Sequence, residues 1–405
     1  MSGTADTASS IRPFGRFAAP AGGEGSRRIR VVLVGPSLDI LGGQAVQLQR
    51  LLKRLREIPT LEVDFLPVNP RLPGALRQLQ RVKYVRTATT SIAYLAALYR
   101  SLPHYDVVHA FSASYWSYLL APFPAMWVAR RFGKAVVLNY RSGEADDHLA
   151  RWRSAARTMR TADAIVVPSG YLVGVFGKHG LEARAIVNFV EVEKIPYRHR
   201  AAPTPVFLSN RNLEPLYDIE RVLRAFQLIQ RETPEARLIV AGDGSQRQML
   251  EMLVTSLGLR NVEFRGQTPP ERMASLYDEA DVYLNSPVID NMPSSIIEAF
   301  AAGLPVVTSD AGGIPYIVRD GENGLVVPAG DEVALAAAAL RVLREPGLAD
   351  RLSLAAREEC LAKYVWPAVR GEWERLYLEM ATLTRSRAHQ DSSRSPSPAS
   401  AQVPQ

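Results

Sequence analysis

The chain is 405 residues long, 47% apolar and 22% charged, with a mean hydropathy of -0.06. That is length for two or three domains and an ordinary composition for a soluble globular protein, and the single cysteine, Cys360, excludes an internal disulfide and fits a reducing compartment. The net charge of +7 hides an asymmetry: residues 1–200 hold 28 Lys/Arg against 14 Asp/Glu, and residues 201–405 hold 20 against 27. A basic half suits an anionic partner such as lipid, nucleic acid or a phosphorylated substrate, or is a solvated arginine-rich surface.

In chain order, "MSGTADTASSIRPFGRFAAPAGGEGSRR" lacks the apolar core of a secretion signal, and residues 1–28 read as a flexible tail. "RIRVVLVGP" is a β-branched run that ends in Gly-Pro. It is followed by the glycine-rich turn "SLDILGGQ" and the amphipathic helix "AVQLQRLLKRLRE". "LEVDFLPV", "YDVVHAF", "KAVVLNY" and "ADAIVVPS" are further strands with helical patterns between them. Such alternation predicts a parallel sheet covered on both faces over residues 29–195. At "EKIPYRHRAAPTP" prolines break the rhythm, and residues 196–205 read as a linker.

The pattern restarts with the strands "PVFLSNR", "ARLIVAGDG", "VEFRG", "DVYLNSP" and "PVVTS", each separated by a helix, which predicts a second α/β domain over 206–365. The run "VWPAVRGEWERLYLEMATL" predicts a helix over 366–384 that packs back on the first domain, and residues 385–405 read as a second tail. The fold class is therefore α/β: two doubly wound, Rossmann-like domains facing a cleft. No apolar run is long enough to span a bilayer.

Ligands in such folds lie at the carboxyl ends of the strands. Arg211, the turn Gly242-Asp243-Gly244 and Asp290 all stand at strand ends of the second domain and are expected to converge. An arginine there clamps phosphate in two-pronged fashion, or lies idle on a surface loop. In "DNMPSSIIEAFAAGLPVVTS" the Ser295–Glu298 spacing fits a capping box, while the same helix start offers free N–H groups to phosphate and Glu298 to a ribose diol.

The segment "DNMPSSIIEAFAAGLPVVTSDAGGIPYIVRDGENGLVVPAGD" resembles the donor-binding region of family 4 glycosyltransferases, retaining enzymes of the GT-B fold. "LGGQAVQLQRLLKRL", "YDVVHAF", "VVPSGYL", "AIVNFVEVEKI", "VAGDGSQRQML" and "EFRGQTPPERMASLYDEADVYLNSP" match other landmarks of that family in order, across about 340 residues. The resemblance implies an acceptor-side first domain and a nucleotide-sugar-binding second domain. It assigns catalytic roles to Asp290 (donor sugar), His109 (transferred sugar) and Arg211 (diphosphate). It assigns donor binding to Glu298 (ribose), Gly43, Asn291, Met292, Pro293, Ser294, Gly242, Arg265 and Gly266, the last two mainly through backbone at the base pocket. His109 has a competing reading as a packed histidine. Asp290 replaces the family's usual Glu, and Tyr217 and Tyr316 stand where Lys and Glu are frequent.

The chain contains no Asp-x-Asp motif, so a metal-independent reaction is expected, with no cofactor beyond the nucleotide-diphosphate sugar. The acceptor is expected to be a glycan or a lipid-linked saccharide of cell-surface or exopolysaccharide synthesis. "ALRQLQRVKYVRTATTSIAYLAALYRSL", with Arg77, Arg81, Lys83 and Arg86, is a basic amphipathic stretch suited to an anionic membrane surface or to solvent. That places the protein in the cytoplasm or peripherally at the inner face of the plasma membrane, with no nucleic-acid partner. A GT-B phosphorylase and a non-catalytic sugar-nucleotide-binding subunit are the alternative readings.

Overall fold

The computed structural model describes residues 27–37, 43–70 and 83–394. Most of the expected N-terminal tail lies outside the described residues, as do Arg77, Arg81 and the stretch 395–405. The described residues form two six-stranded sheets in which every ladder is parallel. The first contains β1 (Ile29–Gly35), β2 (Leu61–Pro67), β3 (Val107–Ser112), β4 (Ala135–Tyr140), β5 (Ala164–Val167) and β6 (Arg184–Ala185), in the order β2-β1-β3-β4-β5-β6. The second contains β7 (Val206–Ser209), β8 (Arg237–Ala241), β9 (Val262–Gly266), β10 (Val282–Asn285), β11 (Val306–Ser309) and β12 (Leu325–Val327), in the order β12-β11-β10-β7-β8-β9.

Parallel strands buried on both faces must be apolar throughout, which is why Val31 to Val34 are all fully buried. In each sheet the winding reverses between two central strands, β1 and β3 in the first and β7 and β10 in the second. Connections leave a reversal point in opposite directions, so a crevice opens there at the carboxyl edge. Gly43 follows β1, Arg211 follows β7 and Asp290 follows β10, so all three stand at these crevices.

The segment between the sheets is anchored rather than loose. Arg200 is buried and donates to the carbonyls of Ala280 and Tyr277, with Asp281 3.4 Å away as its counter-charge. The last helix (Trp366–Arg394) lays Trp373, Leu376, Tyr377 and Met380 on the first sheet, in one core with Val31, Val107 and Val137. It does not stop at 384. Thr384 donates to the Asp106 carbonyl (2.7 Å) and accepts from the Ala135 N–H (2.8 Å), and Arg387 pairs with Asp163. These polar ties hold the following turns in helix where a tail was expected. Among the described residues, no helix is long and apolar enough to cross a membrane.

Candidate active site

The carboxyl edges of the two sheets enclose two adjoining cavities of about 570 and 540 Å3 that share Gly43, Asn210, Arg211, Met273 and Glu298. The larger is lined by Gln267, Thr268, Glu271 and Ala274 of the second domain and by Arg50 and Lys53 of the first. The smaller is lined by Asp290 to Ser295 and Tyr217 on one side and by Arg141, Ser142 and Gly143 on the other.

Arg211 sits at the junction. Its guanidinium pairs with the Asp290 carboxylate, donates to Ser295 Oγ (3.0 Å) and lies 4.2 Å from the Tyr217 ring centroid. Burial alone would depress its pKa, but the Asp290 charge together with Tyr217 and Tyr283 more than offsets this and the pKa is raised, so Arg211 is a fixed cation. Tyr217, at the position where the resemblance leads one to expect Lys, is a flat stacking platform for that cation. The tight β7–β8 edge requires glycine at 242: φ is +151°, and a Cβ there would collide with the Arg211 carbonyl oxygen. Gly312, with φ +57°, likewise leaves room for the Asp290 carbonyl.

Each Glu298 oxygen has one partner. One oxygen accepts from Arg50 Nη2 of the first helix (Gly43–Arg56) at 2.6 Å, and the other accepts from Tyr277 Oη at 2.8 Å. Burial and the Glu298 charge raise the Tyr277 pKa well above its usual value, so Tyr277 stays a donor. A carboxylate has about four lone-pair sites, so ribose hydroxyls can still be accepted. The capping box does not form. The helix Ser294–Ala302 is N-capped by Pro293 with no side-chain bond, because Glu298 lies too far along it and is turned to Arg50. The uncapped first turn leaves N–H groups facing the cleft, a favourable place for an oxyanion.

The loop before this helix is clasped by the first domain. Ser169 donates to Asn291 Oδ1, Asn188 Nδ2 donates to the Met292 carbonyl (2.8 Å), and Gln47 Nε2 donates to Ser294 Oγ (2.9 Å). Asn291, Met292, Pro293 and Ser294 thus line the cleft while locking the domains together.

Two expected residues are placed elsewhere. His109, expected to contact the transferred sugar, lies inside the sheet, because β3 runs on past it to Ser112. It is fully buried, stacked between Phe111 and Trp373, accepting from Asn139 Nδ2 (3.0 Å) and bonded to Tyr377 Oη (2.7 Å). Burial, assisted by the Arg141 charge, pushes its pKa down to about 3, so it is a neutral packing residue. Arg265 points outward to Glu263 (2.7 Å) and Glu279 (3.2 Å). Its neighbour Gly266 accepts the Gly242 N–H (2.8 Å), and the cavity wall is formed by Gln267 and Thr268. Tyr316 is exposed and lies against Gly170 and Tyr171, away from both cavities.

The sequence reading missed Arg50, Gln47, Tyr277 and Arg141. Gln47 and Arg50 had a faint signal: polar residues one turn apart beside the buried stripe Leu48-Leu51-Leu52-Leu55. Arg141 is the first residue after a fully buried strand, the position from which a charge enters a crevice. Among the described residues, no cluster of three or more His, Cys, Asp or Glu side chains comes together as a metal site.

Residues 193–359, which carry Arg211, Asp290 and Glu298, match the family model described as glycosyl transferases group 1. The chain is 32% identical over 211 residues to a phosphatidyl-myo-inositol mannosyltransferase of Mycobacterium leprae, spanning 50% of this chain and 55% of that one, so it covers about half the relative's length. Two solved structures share the fold. A sucrose-phosphate synthase from Thermosynechococcus elongatus superposes with a TM-score of 0.71 at 21% identity over 87% of this chain and 99% of that chain. Anabaena HepE, solved with UDP-glucose, superposes with a TM-score of 0.68 at 18% identity over 90% and 100%. The architecture is that of a GT-B protein. The likeness to the group 1 glycosyl transferases thus falls on residues 193–359, the part of the chain that carries the second sheet.

Proposed function

We propose that the chain transfers a sugar from a nucleoside-diphosphate sugar to a saccharide or lipid-linked acceptor, with retention, in cell-surface or exopolysaccharide synthesis. The observation that carries this reading is the Arg211–Asp290–Ser295 arrangement at the second sheet's reversal point, beside Glu298 and an uncapped helix start. The nucleotide occupies the 570 Å3 cavity, with Glu298 and Tyr277 at the ribose. The sugar lies in the 540 Å3 cavity under Asp290 to Ser294. HepE's complex with UDP-glucose and the mycobacterial relative's mannosyltransferase name are in keeping with such a donor.

In the reaction the bond from anomeric carbon to β-phosphate oxygen breaks and its electron pair goes to the phosphate. The acceptor oxygen bonds the anomeric carbon from the same face, and its proton passes to the departing diphosphate. Arg211 and the helix N–H groups stabilise the growing negative charge, which is the role a metal would otherwise have. No side chain is assigned as nucleophile.

For the acceptor, a third cavity of about 660 Å3 opens off the sugar cavity. It shares Pro36 and Gln44 with it and is lined by Phe111, Val68, Leu120, Thr87 and Arg86. Around it the helices 83–101, 115–120 and 122–131 expose Ile92, Trp116, Trp127 and Leu120, interspersed with Arg86, Arg100, Arg130 and Arg131. Exposed tryptophans among arginines suit an anionic lipid surface and a lipid-linked acceptor. A thermal-shift panel of UDP, GDP, ADP and their sugars tests the donor site. One nucleotide is expected to stabilise the chain and Glu298→Ala to remove that shift; an unchanged shift sinks the assignment. Turnover of the matching nucleotide sugar with lipid extracts separates an enzyme from a binding subunit.

A further inference from the structure

Five cations line the two donor cavities among the described residues: Arg50, Lys53, Arg141, Lys194 and Arg211. Arg50 pairs with Glu298, Lys53 and Lys194 with Glu191, and Arg211 with Asp290. Arg141 differs. Among the described residues its acceptors are the amide oxygens of Asn139 (3.4 Å) and Asn188, with the Phe111 ring 5.8 Å from its guanidinium carbon. It has no carboxylate partner there, and burial alone lowers its pKa to about 10. A guanidinium carries five N–H donors, so several remain for the cavity.

A buried charge without a counter-charge is expensive, and chains keep one where a ligand supplies the partner. The location narrows the ligand. Arg141 faces the cavity in which the anomeric carbon becomes positive, so an unanswered cation there would oppose the reaction. An oxyanion bound to it removes that opposition. The departing group is such an oxyanion, and Arg211, already paired with Asp290, neutralises only part of its charge. Glu144, which also lines this cavity, is exposed at its rim.

We infer that Arg141, from the first domain, is the second diphosphate-binding cation of this site, so that the leaving group is held between the two sheets by Arg141 and Arg211. The inference rests on the glycosyl-transfer reading above. It makes charge neutralisation depend on domain closure, because neither sheet carries both arginines.

The test compares calorimetric binding of UDP, GDP and ADP with that of uridine, guanosine and adenosine, using the full chain. For the nucleotide that binds, Arg141→Gln is expected to weaken the diphosphate about ten-fold or more and to leave the nucleoside within about two-fold, as expected for a charge-assisted pair. Arg141→Lys should lose less. Tyr217→Lys added to Arg141→Gln should recover part of the loss, since position 217 faces the same cavity. Unchanged diphosphate affinity in Arg141→Gln overturns the inference, as does a loss seen only in acceptor KM, which would make Arg141 a reader of an acidic acceptor. If Arg141→Gln does not fold, Arg141→Lys decides: a loss confined to the diphosphate supports the inference, and a diphosphate held as tightly as by the unaltered chain overturns it. No binding of any nucleotide to the unaltered chain defeats the sugar-nucleotide reading itself, whereas binding indifferent to residue 141 defeats this inference alone.

Discussion

On the second sheet's carboxyl edge the two central site charges meet their opposites: Arg211 with Asp290 from the neighbouring strand, and Glu298 with Arg50 reaching over from the first helix. On the first sheet's edge the Arg141 side chain meets, among the described residues, only amides and a ring, and His109, two strand residues from Phe111, is sealed beneath it. The difference follows from what each edge is built to hold. The second edge keeps its charges organised without ligand, so on the proposed function a donor would find a preformed receptor and need little reorganisation on binding. On the inference above, the first edge is completed by the substrate, which ties its contribution to closure of the cleft.

Breaking the preorganised side should cost most. Arg211→Ala removes the central cation and leaves Asp290 without its partner, and kcat with the donor that the thermal-shift panel selects is expected to fall roughly 1,000-fold. A loss under about ten-fold would mean that another group carries the leaving-group charge. Glu298→Gln keeps the shape but not the charge facing Arg50, and donor KM should rise roughly 10- to 100-fold with a smaller change in kcat, if Glu298 contacts the ribose rather than merely holding Arg50. Arg50→Met separates these roles: a domain latch loses thermal stability without losing nucleotide affinity, whereas a ligand contact loses affinity.

Smaller effects are expected in the supports. Gly242→Ala puts a methyl against the Arg211 carbonyl oxygen and should cost about 1–3 kcal/mol of unfolding free energy in urea, together with donor affinity. For His109, the folded pKa of about 3 lies below the unfolded value near 6.5. The unfolded chain therefore binds a proton that the folded chain refuses, and stability declines as pH falls from about 6.5 toward 3. His148, which burial lowers to about 4, adds to this. His109→Gln should flatten the slope by up to about 1.4 kcal/mol per pH unit while leaving neutral-pH nucleotide binding in place. A lost nucleotide shift at neutral pH would instead return His109 to the site.

Much was legible before folding. The alternation of β-branched runs with amphipathic helices gave two parallel sheets, because strands covered on both faces admit few polar residues. The strand-end rule then brought Arg211, Gly242 and Asp290 together, which are separated by tens of residues but lie on neighbouring strands. It failed for His109 because a strand's last residue is not marked in sequence: the run of buried residues continued to Ser112, and a shift of a few positions moves a side chain from crevice to core. It failed for the capping box because Ser-x-x-Glu spacing says nothing of where the helix begins or of Arg50 arriving from another domain.

What the sequence determined by itself is therefore what one element dictates locally: strand and helix periods, the glycines that backbone crowding demands, and the residue types delivered to the strand ends. Which charges are matched was decided only in the folded molecule. Coulomb partners such as Arg50 and Glu298 are 248 positions apart in the chain and 2.6 Å apart in space. Electrostatic energy depends on the second of these separations, and the sequence records only the first.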